Sequence, residues 1–204
     1  PWLDNGSLLV AAFTSYDGLH QLAHTEVLVL ARRPDLPLAK LMDRSASLHI
    51  SQADGSRTRI NGLISAASSL GSDGGLSQYQ FRLSPWLHLA NLTTHSRVWQ
   101  EQPVQTIIDN VLADYAPRAH WQWSEEAQTL LQQLPVRSYC VQYRETALAF
   151  ISRLLAEDGL SWRIDFDHPD APDGHSLILI ADSTHTSACP ANPDNGSLGL
   201  RYAG

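Results

Sequence analysis

An α+β fold built on an antiparallel sheet is the class this sequence predicts, and three observations predict it. Alternating apolar and polar residues, broken by glycine-containing turns, recur through the first half. From Pro103 the spacing changes to the three- and four-residue period of helices. A strand, a helix and a final pair of strands follow, and periodicity is lost after Asp182. Strands and helices are thus segregated along the chain, which argues against a doubly wound parallel sheet. The architecture expected is an antiparallel, β-barrel-like domain, an inserted helical segment and a terminal β-α-β hairpin unit.

Each element has its own warrant. Glu26 to Ala31 (EVLVLA) is a short, almost continuous apolar run suited to a buried strand, stopped by the Arg-Arg-Pro-Asp of residues 32–35. Leu38, Leu41 and Met42 predict one helical turn. Ser47 to Ser51 alternates, and Asp54-Gly55 follows it as a tight-turn dipeptide, because both central positions of that turn need positive φ. The return strand runs from Arg57 towards Leu70, a second turn falls in GSDGG at residues 71–75, and Leu76 to Leu83 alternates again. Val104, Ile107, Ile108, Val111, Leu112 and Tyr115 then draw a helical stripe, with Pro103 suited to the first turn. This stripe fits a packing face better than a subunit contact. Ser124 predicts an N-cap for a helix ending near Pro135, and Ser138 to Tyr143 predicts a strand. Leu148, Ile151, Leu154 and Leu155 mark a third helix closed by Gly159. Strands at Leu160 to Phe166 and Ser176 to Ala181 flank an acidic loop, residues 167–174.

Composition narrows the function. The chain has 204 residues, 43% of them hydrophobic and 17% charged, too apolar for a disordered chain. That length suits one domain or two small ones, burying roughly 70% of the unfolded surface. No run reaches the ~18 apolar residues of a membrane span, and the first residues lack a signal-peptide pattern. With 21 acids against 14 bases the net charge is −7, which disfavours nucleic acid and anionic membranes. Lys40 is the single lysine among scattered arginines. Cys140 and Cys189 form no CxxC pair, so a disulfide framework is not indicated.

Candidate chemistry is thin. His20 and His24, with Glu26 beyond, invite a metal reading, but in a strand residues four apart lie roughly 13 Å apart, too far to share one ion. Solvent-facing histidines are the expectation. Asp165, Asp167, Asp170 and Asp173 resemble a calcium loop, yet Pro169 and Asp170 occupy the positions where such a loop needs an oxygen ligand and a glycine, so a solvated hairpin tip is expected. Asp182, Ser183 and His185 are adjacent without a fold to position them as a triad. Cys140 reads as a small buried hydrophobe in a strand. Glu125-Glu126 and Glu157-Asp158 read as a helix start and a helix end rather than paired catalytic carboxylates. Trp2, Trp86, Trp99, Trp121, Trp123 and Trp162 fit core filling or oligomer contacts more readily than a sugar-binding surface. No phosphate-cradling glycine loop or nucleophile elbow occurs.

A resemblance adds what the residues alone do not. FRLSPWLHLANLTTHSRVWQEQPVQTIIDNVL, then SYCVQYRETALAFISRLLAEDGLSW, then HSLILIADS resemble the VgrG family. These are spike proteins of bacterial type VI secretion systems, related to phage tail hub and late-control baseplate proteins. The resemblance covers about Leu8 to Ser183 and rests on Pro85, Trp86, Arg97, Gln100, Tyr139, Cys140, Gln142, Tyr143, Arg144, Glu145 and Gly159. It departs from the family around Leu22-Ala23, where an aromatic is common, and at Gln102, where a better helix cap is common. The family's later parts, an oligonucleotide/oligosaccharide-type barrel and a β-helical needle, have no counterpart here, so the chain reads as the leading part of a larger hub.

What the resemblance implies is mechanical. It implies a homotrimer in the full-length protein, docking on a hexameric tail tube, with baseplate proteins and secreted effectors as partners. It implies no cofactor, no metal and no catalytic residue; assembly is expected in the bacterial cytoplasm, followed by translocation out of the cell. Residues 1–95 are expected to form a β-rich hub domain, 96–183 the helical insertion and β-α-β unit, and 184–204 an irregular tail. A phage-derived hydrolase or metal-dependent enzyme, and a carbohydrate-binding module, are the competing classes. A cleft converging His20, His24 and acids would mark the first, and clustered exposed tryptophans the second.

Overall fold

A computed structural model describes residues 8–18, 21–51, 55–72 and 75–181. The first half forms a five-stranded sheet from β1 (Leu8–Tyr16), β2 (His24–Ala31), β3 (Ser45–Ser51), β4 (Arg57–Ser72) and β5 (Ser77–Ser84). Their order is β1-β2-β5-β4-β3, and every neighbouring pair is antiparallel. Bulges in β1 at Val10/Ala12 and in β4 at Ile64/Ala66 and Ser69/Gly71 bend the strands, which curls the sheet into a half-barrel.

Side chains alternate as the pleat demands. Val27 and Val29 are buried opposite Phe81 and Tyr79, while Leu28 and Leu30 are half-buried opposite Gln80 and Gln78. The apolar run EVLVLA is therefore a two-faced strand, not a strand buried on both faces. Buried Tyr79 satisfies its hydroxyl by donating to the Arg33 carbonyl at 3.0 Å and accepting from the Leu36 N–H at 3.3 Å. The turn α1 (Leu38–Leu41) caps this core through Leu41.

A six-residue 3-10 turn, Trp86–Asn91, leads into the second half. It contains β6 (Thr94–Gln102), α2 (Val104–Ala113), β7 (Trp121–Trp123), α3 (Glu125–Leu131), β8 (Arg137–Thr146), α4 (Ala147–Glu157), β9 (Ser161–Asp165) and β10 (Ser176–Ile180). β6 and β8 pair as an antiparallel ribbon, and β7-β10-β9 make a three-stranded sheet. β7 runs parallel to β10, the one parallel pairing among the described residues and a short strand the sequence pattern missed.

The helices pack inward. Val104, Ile107, Ile108, Val111 and Leu112 of α2 are all buried against Phe150, Ile151, Leu154 and Leu155 of α4, as a packing face should be. Each buried aliphatic side chain contributes roughly 1.5–3 kcal/mol. Ser124 and Thr146 cap α3 and α4 by accepting from the N–H groups of Ala127 and Ala149 at 3.2 and 3.1 Å. Gly159, at φ +72°, ends α4: Leu160 N–H donates to the Leu155 carbonyl at 2.7 Å and Gly159 N–H to Ala156 at 3.3 Å.

Candidate functional site

The residues that carry the family signature fall in three places. Pro85, with extended backbone, starts the 3-10 turn, and Trp86 is fully buried beneath it. The Trp86 indole donates to the His120 carbonyl at 3.2 Å, and its backbone N–H donates to His175 Nε2 at 2.7 Å. Gly159 closes α4, and the rest lie on the β6–β8 ribbon, whose two faces differ. Trp99 is opposite Cys140, and Arg97 opposite Gln142, on the core face. Trp99 stacks on Phe150 at 5.1 Å, and burial pushes the Cys140 thiol pKa up, away from reactive thiolate. Gln142 is fully buried: its Nε2 donates to the Glu145 carbonyl at 3.1 Å, and its Oε1 has no hydrogen-bond partner among the described residues.

The other face points outward. Val98 lies opposite Val141, Gln100 opposite Tyr139, and Ser96 opposite Tyr143. Tyr139 and Tyr143 are 60% and 66% exposed, and Val98 is 53% exposed. A bulge at His95/Ser96 sets Arg144 at φ +50°, where the Ser96 hydroxyl accepts its N–H at 3.2 Å. A bulky residue at positive φ is strained and marks a position worth a functional reading. The Arg144 guanidinium lies 5.4 Å over the Tyr143 ring. From the opposite face Arg97 pairs with Asp114, and Arg153 holds Glu145 at 2.7 Å.

A second arrangement, invisible in the sequence, joins the two halves. The 167–174 loop is not a solvated tip: it docks on the half-barrel. Asn61 Nδ2 donates to the Phe166 and Gly174 carbonyls at 2.8 and 2.9 Å, and its Oδ1 accepts from the Ser47 hydroxyl. The Asp173 carboxylate accepts from the Ser45 hydroxyl and lies 3.2 Å from the Arg118 guanidinium, which also donates to the Asp43 carbonyl at 2.5 Å. Buried His175 follows directly. Acidic composition suggested solvation, but two of these groups meet partners from other elements: Asp173 as above, and Asp167 with Arg59 at 3.9 Å.

The remaining sequence candidates do not converge. Glu26 accepts from Arg82 at 2.7 Å and Gln80 at 2.9 Å, and the Arg82 bond holds its carboxyl below the usual range. His24 is half-buried and stacks on Tyr16 at 4.7 Å, so it is not simply solvent-facing; His20 lies outside the described residues. Asp182, Ser183, His185, Cys189 and Trp2 also lie outside them. Glu157 and Asp158 both bind Arg137, at 2.6 and 2.8 Å, as a helix-end clamp. Trp121 and Trp123 both donate to Asp109 Oδ1, at 2.7 and 2.9 Å. None of the five described tryptophans is an exposed ring. The half-barrel encloses an open apolar groove of about 460 Å³, lined by Val10, Val29, Leu48, Ile64 and Phe81 among others, with Arg44 the one ionisable lining residue among the described residues.

A half-barrel coupled to a helical layer, carrying an exposed aromatic ribbon and no converging catalytic groups among the described residues, defines an assembly module of the contractile-tail hub class. Residues 16–198 match the family of phage tail baseplate hub (GPD) proteins, and the chain belongs to that family, corresponding to the N-terminal hub region of VgrG-type spike proteins. It is 32% identical over 167 residues to the type VI secretion system spike protein VgrG1b of Pseudomonas aeruginosa, covering 82% of this chain and 21% of that protein. The chain spans about a fifth of the length of the curated relatives it matches. Its fold is similar to that of an E. coli component of the type VI secretion system, itself described as similar to bacteriophage T4 tail proteins. That likeness has a TM-score of 0.72 at 18% identity and covers 88% of this chain and 50% of the other. A tail protein from Neisseria meningitidis is similar with a TM-score of 0.55 at 17% identity, covering 93% and 55%.

Proposed function

We propose that this hub works by docking, without turnover. In the complete protein it forms a homotrimer seated on the hexameric tail tube, among baseplate proteins, and travels outward with secreted effectors after assembly in the bacterial cytoplasm. The observation that carries the docking reading is the outward face of β6–β8. Two exposed tyrosines, exposed Val98 and an arginine stacked on an aromatic ring are the composition of a protein contact. The inward signature residues, Trp86, Cys140, Gln142 and Gly159, hold the scaffold; the outward ones, Tyr139, Tyr143 and Arg144, meet the partner.

A net charge of −7 supports protein rather than nucleic-acid partners. Two units fit the two cores, with the boundary falling between Leu83, the last residue of the half-barrel core, and Trp86 of the helical core, earlier than the 95/96 division expected from the sequence.

Co-sedimentation of the full-length spike with polymerised tail tube tests the docking surface. The wild type should pellet with the tube, and Tyr139→Glu with Tyr143→Glu should lower its retention at least tenfold while light scattering still reports a trimer. Undiminished retention of that double variant would remove the ribbon as the docking face. A wild-type spike that never trimerises or pellets would remove the tube-docking hub itself.

A further inference from the structure

The 167–175 segment closes the seam between the half-barrel and the helical layer, and one neutral imidazole sits at its end. His175 is fully buried, and both ring nitrogens are committed. Nε2 accepts from the Trp86 N–H at 2.7 Å, and Nδ1 lies 3.0 Å from the Asp173 carbonyl. A backbone N–H can only donate and a carbonyl can only accept, so the tautomer is determined: bare Nε2, protonated Nδ1. A second proton has nowhere to sit. On Nε2 it would face the Trp86 N–H, setting donor against donor in a buried site, which costs the full penalty of an unsatisfied group.

We propose that residues 167–175 are an acid-sensitive latch, held shut by neutral His175 and released when its ring takes up a second proton. The ionisable groups around the seam shape that response. The Asp173 carboxylate, the nearest acid, is already engaged by Ser45 and Arg118. His168 and Asp170 lie on the loop itself. Ahead of β7, His120 stands 4.9 Å ring to ring from His168 and bonds Ser176 Oγ at 2.9 Å. His88 on the 3-10 turn feels Asp43, and Arg59 reaches Asp167. Acid would thus add charge at His120, against the loop, while it breaks the His175 bond.

The direction in pH follows from burial. Desolvation lowers the His175 pKa below its ordinary 6.5, and it does the same for His120, helped by His168. A histidine whose folded pKa is depressed binds its proton more readily once the loop is open. The latch is therefore at full strength above pH 6.5 and weakens as pH falls from there towards the folded value.

Hydrogen exchange of the protein, corrected for the intrinsic pH dependence of exchange, tests this between pH 7.5 and 5.0. Protection of the Trp86 N–H and of the 167–175 amides should fall at least tenfold, with α2 and α4 amides unchanged. His175→Gln offers a side-chain oxygen that accepts but does not titrate, so in that variant the acid-dependent loss should vanish. Unchanged protection in the wild type at pH 5.0, equal loss in His175→Gln, or opening only together with α2 and α4 would each overturn the latch. Should that variant not fold, ¹⁵N shifts of the wild-type His175 ring decide. Titration below 6.5 in step with loss of Trp86 protection supports the latch, and titration at or above 6.5, or none down to pH 5.0, overturns it.

Discussion

The helical layer and the half-barrel bury their apolar residues by different means. In the helical layer, α2, α4 and the 3-10 turn enclose Trp86, Ile107, Ile108, Phe150 and Leu154 on all sides, each with no exposed surface. In the half-barrel the sheet curls around Val27, Val29, Leu48 and Phe81 but leaves a groove beside them, and edge strand β1 keeps Leu9, Val10 and Phe13 about half exposed. One core is closed by its own elements and the other is not. An edge strand with exposed apolar residues and no charge along its length is the sort of edge that natural proteins cover.

Core truncations test this difference most strongly. Leu154→Ala, in the closed core, should cost about 4–5 kcal/mol, because the surrounding helices cannot collapse into the cavity. Leu48→Ala, beside the groove, should cost about 2–3 kcal/mol, since the site already opens onto solvent. Urea unfolding of both variants measures the gap, and equal losses would mean that the two cores are equally closed.

The next effect separates two glycines of almost equal φ. Gly174, at +70°, would place a Cβ 2.8 Å from Asn61 Nδ2, whereas Gly159, at +72°, would place it in open space. Gly159→Ala should therefore cost only the left-handed strain, about 1 kcal/mol. Gly174→Ala adds displacement of Asn61, which holds the seam between the halves, and should lose about 2–3 kcal/mol. Thermal unfolding compares them, and matching losses would show that Asn61 can move aside freely.

The two halves also differed in how far they could be read from sequence. The hairpins β3–β4 and β4–β5 and the helices α2 and α4 follow from local patterns: alternation, turn glycines, an apolar stripe, a left-handed stop at Gly159. Three strands did not announce themselves, β1, β6 (Thr94–Gln102) and β7. β1 (LLVAAFTSY) lacks alternation because it is an edge with little buried, and β7 is only three residues long. The seam was illegible for another reason. Asn61 and Gly174 are 113 positions apart, and no local pattern marks an asparagine side chain that will meet two distant carbonyls. His175 sat unremarked beside an acidic loop whose composition pointed to solvent. The signature ribbon was half legible: resemblance singled out the residues, but only the register separates Cys140 and Gln142 from Tyr139 and Tyr143.

A smaller effect belongs to the clamp at the end of α4. Arg137 bonds both Glu157 and Asp158, and its hydrogen bond is the main reason the Glu157 carboxyl sits below its usual pKa. A depressed carboxyl contributes stability above its unfolded pKa of about 4.5 and loses it as pH falls further. Arg137→Ala should therefore cost at most about 1 kcal/mol at neutral pH, since the clamp is partly solvated. The difference from wild type should shrink below pH 4.5. A gap that stays constant down to pH 3 in urea titrations would mean that Arg137 acts through packing.

The smallest change in stability should come from the most conspicuous side chain on the ribbon. Tyr143 is 66% exposed, while Gln142, the next residue along the same strand, is fully buried. Tyr143→Ala removes exposed ring and one cation–π contact with Arg144, and should shift unfolding by no more than about 0.5 kcal/mol. Gln142→Ala leaves the Glu145 carbonyl without its donor and a cavity in the core, and should cost about 1–3 kcal/mol. If the ribbon is a docking face, tube retention by the full-length spike should rank these two variants in the opposite order. A Tyr143→Ala loss as large as that of Gln142→Ala would mean that the outer face serves the fold, and its exposed aromatics would then need no partner to explain them.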